Sequence, residues 1–249
     1  METYVLGIDF AFSPQKTMPM ALIKITSTPY HDTTFESVAL PIPPPQGPGK
    51  EVLIHKDKME VFLNLFENYL SELQIQLNAP IECIAIDAPT TFCSENLKMR
   101  PSEKAIREEK VGIFLTPSQS SFQQRLSNYV TRQHKQKNTP VGFVLWMLPA
   151  LFLTQQLNPK YAIYEAFPNW FWKQQMGTKY KSIHNLQEKK AELLQQYGIK
   201  NASEYVKNCS GPNNDKLDAL YCGLLAAYIH QNKSIRYVGS EEDKIYVID

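Results

Sequence analysis

Three apolar runs of this chain each stop at a carboxylate. Asp9 follows Val5-Leu6-Gly7-Ile8, Asp87 follows Cys83-Ile84-Ala85-Ile86, and Glu165 follows Tyr161-Ala162-Ile163-Tyr164. A fourth acidic group, Asp215 and Asp218, opens a strong helical pattern at i, i+3 spacing, which projects both side chains to one side. Against the apolar stripe of Leu217, Leu220, Tyr221, Leu224, Leu225, Tyr228 and Ile229, Asp218 falls at the edge of the core face and Asp215 further towards solvent. Hard divalent cations such as Mg²⁺ take carboxylate oxygens and keep waters for a substrate phosphate. Two such ions about 3.5–4 Å apart can activate a water and stabilise the leaving oxygen of a phosphodiester. Converging carboxylates without a cation would instead repel one another and raise each other's pKa values. The pattern therefore points to Asp9, Asp87, Asp215 and Asp218 as metal ligands and, with Glu165, as the catalytic set. Each residue alone has a plainer reading. Asp favours turns, and Asp215 with Asp218 also suits a helix cap and an acid in the first turn. An Asp inside apolar β sequence, however, needs a partner.

These carboxylates must be positioned by the elements around them. Tyr4–Phe10, Met20–Ile25 and Phe35–Leu40 read as three strands, the first buried on both faces. The segment PIPPPQGPG at 41–49 is a loop. Phe62, Phe66, Tyr69, Leu73 and Leu77 form one stripe of a long helix that Pro80 ends. A helix between the first strand and Cys83–Asp87 implies a crossover and parallel pairing. A polar region from about 90 to 140 reads as a helical insertion. An apolar helix over 141–156, a strand at 161–165, helices at 185–197 and from 215, and a closing hairpin of 235–238 with 244–248 follow. The order describes a mixed α/β sandwich, taken as one domain over 1–249.

Composition narrows the function classes. The 249 residues are 43% hydrophobic and 20% charged, an ordinary soluble globular balance with length enough for a full core. Lys+Arg number 26 against 25 Asp+Glu, a formal net of +1, so no global field draws the chain to nucleic acid or an anionic membrane. Contact with nucleic acid must use a local patch. Residues 98–137 offer one: nine Lys+Arg against three Glu leave +6, with Phe114, Phe122 and Tyr129 interleaved for stacking on bases. Arg107 is the foremost candidate there for binding substrate, and Lys181 is a second candidate outside it. Cys83, Cys93, Cys209 and Cys222 form no CxxC pair, the N-terminus has no signal-peptide pattern, and no apolar run approaches the ~20 residues of a membrane span. A cytoplasmic chain with reduced thiols is expected. The five histidines show no metal-ligand spacing, and no GxGxxG, Walker or GxSxG motif occurs.

Gly7-Ile8-Asp9, Ile86-Asp87-Ala88-Pro89, Arg107–Pro117 (REEKVGIFLTP), Tyr164-Glu165-Ala166-Phe167-Pro168 and Asp215-Lys216-Leu217-Asp218-Ala219-Leu220 resemble the domain-of-unknown-function 429 family. That family is regarded as predicted nucleases of the ribonuclease H-like superfamily. The resemblance implies a ribonuclease H-like mixed five-stranded sheet flanked by helices, its first three strands antiparallel, with the helical insertion after the fourth strand. The superfamily's Holliday-junction resolvase branch carries an acid on the first and fourth strands and a DxxD pair on the last helix, which match Asp9, Asp87, Asp215 and Asp218. Glu165 matches the family's own ExxP motif. Where the family often has a glycine-rich turn after the first Asp, this chain has Phe10-Ala11-Phe12-Ser13-Pro14.

The expectation is a Mg²⁺- or Mn²⁺-dependent nuclease acting on DNA or RNA by a two-metal carboxylate mechanism. The rival is a non-catalytic module on the same fold that binds nucleic acid or a nucleotide, favoured by the near-neutral charge and the departing first loop. An actin-like or sugar-kinase ATPase shares the Gly-Ile-Asp opening, but needs two such domains and a second glycine-rich phosphate loop. With ten glycines, none in such a loop, that reading fails.

Overall fold

The computed structural model describes residues 2–28, 31–133, 144–208 and 213–249. Three strands open the chain: β1 (Glu2–Asp9), β2 (Met20–Thr28) and β3 (His31–Val38). They pair antiparallel, β1 with β2 and β2 with β3. α1 (Lys56–Leu77) then crosses to β4 (Ile81–Asp87), which lies parallel to β1. The sequence periodicity of α1 is its packing face: Phe62, Phe66, Tyr69 and Leu73 are buried, with Met59 and Leu70 beside them. Asn78, in the left-handed region at φ 50°, caps the helix, and Pro80 prevents its resumption.

After β4 come α2 (Pro101–Glu108), α3 (Gln119–Gln133) and α4 (Met147–Leu157), then β5 (Ala162–Glu165), parallel to β4. The apolar helix expected from residue 141 starts at Met147, with Pro149 in its first turn where no internal N–H bond is lost. Residues 141–143 of that expectation lie outside the described residues. α5 (Pro168–Met176), α6 (Leu186–Gln196), the short β6 (Ile199–Lys200), α7 (Ala202–Asn208) and α8 (Asn213–His230) follow, and β7 (Ile235–Ser240) with β8 (Asp243–Ile248) forms the expected hairpin.

The main sheet runs β5-β4-β1-β2-β3-β6 and so has six strands, not the five expected. The added strand is β6, which pairs parallel with β3 through Phe35–Ile199 and Glu36–Lys200. Two residues are too few to display a period of two, so the residue pattern carries no sign of it.

Side-chain alternation sends one face of the sheet to each of two cores. Leu6, Ile8, Leu22, Ile84 and Ile86 pack against α1 and α4. Val5, Ala21, Ile23, Cys83 and Ala85 pack against α8 and the aromatic turns of α5. α8 lies unusually close to β1. A Cβ on Gly7 would fall within the backbone of Gly223 and Ala219, so only glycine permits this approach. The Trp170-Phe171-Trp172 run is fully buried in α5, which begins at Pro168 in the favoured first helical position.

Candidate functional site

β1 and β4 are in register at Asp9↔Asp87. Cross-strand partners share a face, so both carboxylates leave the side that carries Val5 and Ala85 and meet α8. The Gly7–Gly223 approach brings the first turns of α8 over the strand ends, with Asp218 one turn before Cys222. Four groups record the negative field this creates. The Asp9 carboxyl is pushed up to about 7 by burial and by Asp218, against the opposing pull of Lys16 and Lys190. Asp87 is held well above the usual carboxylate range by burial, Asp9, Asp218 and Glu165. The buried Cys222 thiol is raised by burial and then by Asp87, Asp9 and Asp218. The Tyr180 phenol goes up to about 12 through burial, Asp218 and Asp87.

Asp9, Asp87 and Asp218 are therefore brought together, but on different terms. Neither the Asp9 nor the Asp87 carboxylate accepts a hydrogen bond among the described residues. Asp218 is already engaged: its Oδ1 accepts from Trp172 Nε1 at 2.6 Å and from Lys190 Nζ at 3.0 Å. Asp215 points elsewhere and pairs with Lys16.

Glu165 lies near the pair, raising the pKa of Asp87 and lining one hollow with Asp9 and Asp87, but its carboxylate is engaged by other groups. Its register partner is Ile86, one residue short of Asp87, so its side chain starts from the opposite face of the sheet. There it accepts from Thr90 N at 2.8 Å and from Arg100 Nη1 at 2.8 Å. Arg100 is only 1% exposed and also pairs with Glu103 and Asp243, fastening α2 to β5 and β8.

Two adjoining hollows lead from the acids. One of about 160 Å³ is lined by Asp9, Asp87, Glu165, Arg100 and Trp146. The other, of about 810 Å³, is lined by Arg107, Lys181, Lys190, Asn169, Tyr180 and Asp218. Ile113, Phe114 and Phe167 line both. Arg107 and Lys181, far apart in sequence, thus share a cleft that reaches Asp218.

The basic stretch does not form a single face. Arg100 is buried in its ion cluster, and of the stretch's cations only Arg107 lines this cleft among the described residues. Phe122 and Tyr129, expected to stack on bases, are buried at 1% and 4% exposure in the core against α1 and α4; Phe114 is half exposed. His134, Lys135 and Lys137 lie outside the described residues.

Lys190 and Lys16 are residues that sequence reasoning missed, and Arg100, counted there in a phosphate-binding stretch, serves an internal ion cluster instead. Lys190 left one signal: it occupies the apolar face of its helix, between Leu186 and Leu194, where a cation has no business without a partner. Among the described residues, no group of three or more His, Cys, Asp or Glu side chains is arranged to hold a metal ion. The donor set nonetheless suits a hard divalent cation in part. Asp9 and Asp87 offer two half-buried carboxylates in cross-strand register that accept no hydrogen bond among the described residues, and Mg²⁺ is commonly held through one or two carboxylates with water and phosphate completing its shell.

Fold and site together define a mixed α/β protein with paired carboxylates at the ends of two central parallel strands, facing a basic cleft. The chain belongs to the DUF429 family, a protein family of unknown function, whose model matches residues 52–243. That match contains Asp87, Arg107, Glu165, Lys181, Asp215 and Asp218, whereas Asp9 precedes it. No curated protein and no solved structure matches the chain.

Proposed function

We propose that this protein is a divalent-cation-dependent nuclease on a ribonuclease H-like fold, hydrolysing phosphodiester bonds of DNA or RNA. The observation that carries the reading is the Asp9–Asp87 pair: two half-buried carboxylates in cross-strand register, lining one hollow, raised in pKa and accepting no hydrogen bond among the described residues. The strand order, with an antiparallel β1-β2-β3 meander flanked by parallel β4 and β5, supports the fold assignment.

Asp9 and Asp87 would hold Mg²⁺ or Mn²⁺, with Asp218 the next carboxylate in reach of the same field. The bound ion would supply charge neutralisation and a water acidic enough to attack at neutral pH. A second ion requires Asp218 to exchange Lys190, and Asp215 to exchange Lys16, for metal. Arg107 and Lys181 offer cations to the phosphates of a strand lying in the cleft. Glu165 acts by holding Arg100 under the small acidic pocket, and not as a ligand. The engagement of Asp218 by Lys190 and Trp172 favours one alternative, a non-catalytic nucleic-acid-binding module on the same fold.

Calorimetry of Mn²⁺ into chelator-treated protein decides between them, followed by cleavage of single- and double-stranded oligonucleotides. Wild type is expected to bind Mn²⁺ and cleave; Asp9→Asn plus Asp218→Asn loses binding, and Asp9→Asn loses cleavage with the fold intact. Oligonucleotide binding with no Mn²⁺ uptake establishes the module, and cleavage retained in folded Asp9→Asn removes the assignment of that residue.

A further inference from the structure

A separate cavity of about 490 Å³ lies beside the start of β2 and the end of β3, and neither Asp9, Asp87 nor Asp218 lines it. Its wall includes Met18, Met20, Val38, Leu40 and Ile42, with the proline-rich loop beyond. The Tyr205 hydroxyl donates to the Met20 carbonyl, pinning α7 against the β2 end of the cavity. Size and apolar lining are those of a small-molecule site, where a few polar groups fix orientation.

One such group is present. Lys216 lines the cavity and is only 5% exposed. Its Nζ donates to the Val206 carbonyl at 3.0 Å, which uses one of three N–H donors. Among the described residues it forms no ion pair. Its neighbours on α8 are committed elsewhere, Asp215 to Lys16 and Asp218 to Lys190. The adjacent undescribed residues 209–212, Cys-Ser-Gly-Pro, contain no acid. Glu204 stands at the cavity as an exposed side chain and makes no ion pair with Lys216. A buried charge without a counter-charge is costly, and removal of water from an apolar cavity makes it costlier.

We propose that this cavity binds a small amphipathic carboxylate, its apolar body against Met18, Met20, Leu40 and Ile42 and its carboxylate on the Lys216 ammonium. The ligand supplies the counter-charge that Lys216 lacks among the described residues, and a cavity of about 490 Å³ has room for a medium-chain acid. This site stands independently of the acidic pair and of any nuclease activity.

Octanoate is the probe, with octan-1-ol as its neutral counterpart, titrated calorimetrically into the full chain. Wild type is expected to bind one octanoate saturably and at least about tenfold more tightly than octanol, a difference of about 1.4 kcal/mol. Lys216→Met is expected to erase that preference, and Leu40→Trp, which fills the cavity, to abolish both. Should Lys216→Met fail to fold, the octanoate–octanol comparison on wild type and its loss in Leu40→Trp still decide. Equal affinity for acid and alcohol, absence of saturable octanoate binding, or binding unchanged in folded Leu40→Trp each overturns the proposal.

Discussion

Asp9 carries a carboxyl whose proton affinity differs greatly between the folded and unfolded chain. From an ordinary 3.8 it rises to about 7, first through burial and then through Asp218. The folded state therefore retains a proton that the unfolded state has lost between about pH 4 and pH 7. Stability falls as pH climbs through that window, and the penalty is fully present above it. Asp87, raised for the same reasons, acts in the same sense. Chelator-treated wild type should accordingly lose more melting temperature between pH 5 and pH 8 than Asp9→Asn does. At pH 8 the variant should be the more stable by about 1–3 kcal/mol, the usual cost of an unsatisfied buried polar group. Thermal melts of the two proteins across that range make the comparison, and parallel curves would show that burial of Asp9 carries no such cost. Asp9 and Asp87 were legible in the sequence because an acid ending an apolar β run is carried into the core, where its charge demands a partner or a cation. Lys190 was harder to see, since its charge matters only once α6 is folded against α8 and its ammonium reaches Asp218.

At the scale of elements, the acidic group depends on how closely α8 can approach the sheet. Gly7 and Gly223 touch backbone to backbone, and any Cβ at residue 7 collides with main chain, which cannot rotate away. Gly7→Ala must push α8 outward, carrying Asp218 from Asp9 and stripping cover from Val5 and Ala85. A loss of about 3 kcal/mol or more is expected, at the upper end of overpacking costs. Urea unfolding measures it, and a change below about 1 kcal/mol would mean that the helix yields without strain. The crossover of α1 and the hairpin of β7 and β8 could be read from period and punctuation alone. Register could not: a difference of one residue sets Glu165 beside Ile86 rather than Asp87 and turns it from the acidic pair towards Arg100. α5 escaped detection because Trp170, Phe171 and Trp172 are consecutive and buried together, which displays no helical stripe.

The whole molecule is nearly neutral, with a formal net of +1, so a polyanion would have to be held by local, short-ranged attraction. Sequence clustering suggested that this attraction lay in the run from 98 to 137. In three dimensions the run is divided: Arg100 is consumed by three carboxylates, while Arg107 joins Lys181 and Lys190 from distant segments in the cleft beside Asp218. Charge counted along the chain thus located one of the cleft's cations and overlooked how folding assembles the others. If a nucleic-acid strand occupies the cleft, each phosphate held by Arg107 or Lys181 releases counterions on binding. For a single strand, each such contact contributes about 0.7 to the slope of log affinity against log salt. Arg107→Ala and Lys181→Ala should each lower that slope by about this amount, and together by about twice as much, across oligonucleotides of unrelated sequence. Lys104→Ala is the control, because Lys104 is exposed on the same helix as Arg107, pairs with Glu108 and does not line the cleft. Fluorescence-anisotropy titrations over a range of salt concentrations yield the slopes. Equal slopes for wild type and the double variant would place any bound strand elsewhere on the surface, and an equal fall for Lys104→Ala would mean that affinity follows net charge alone, with no contribution particular to the cleft.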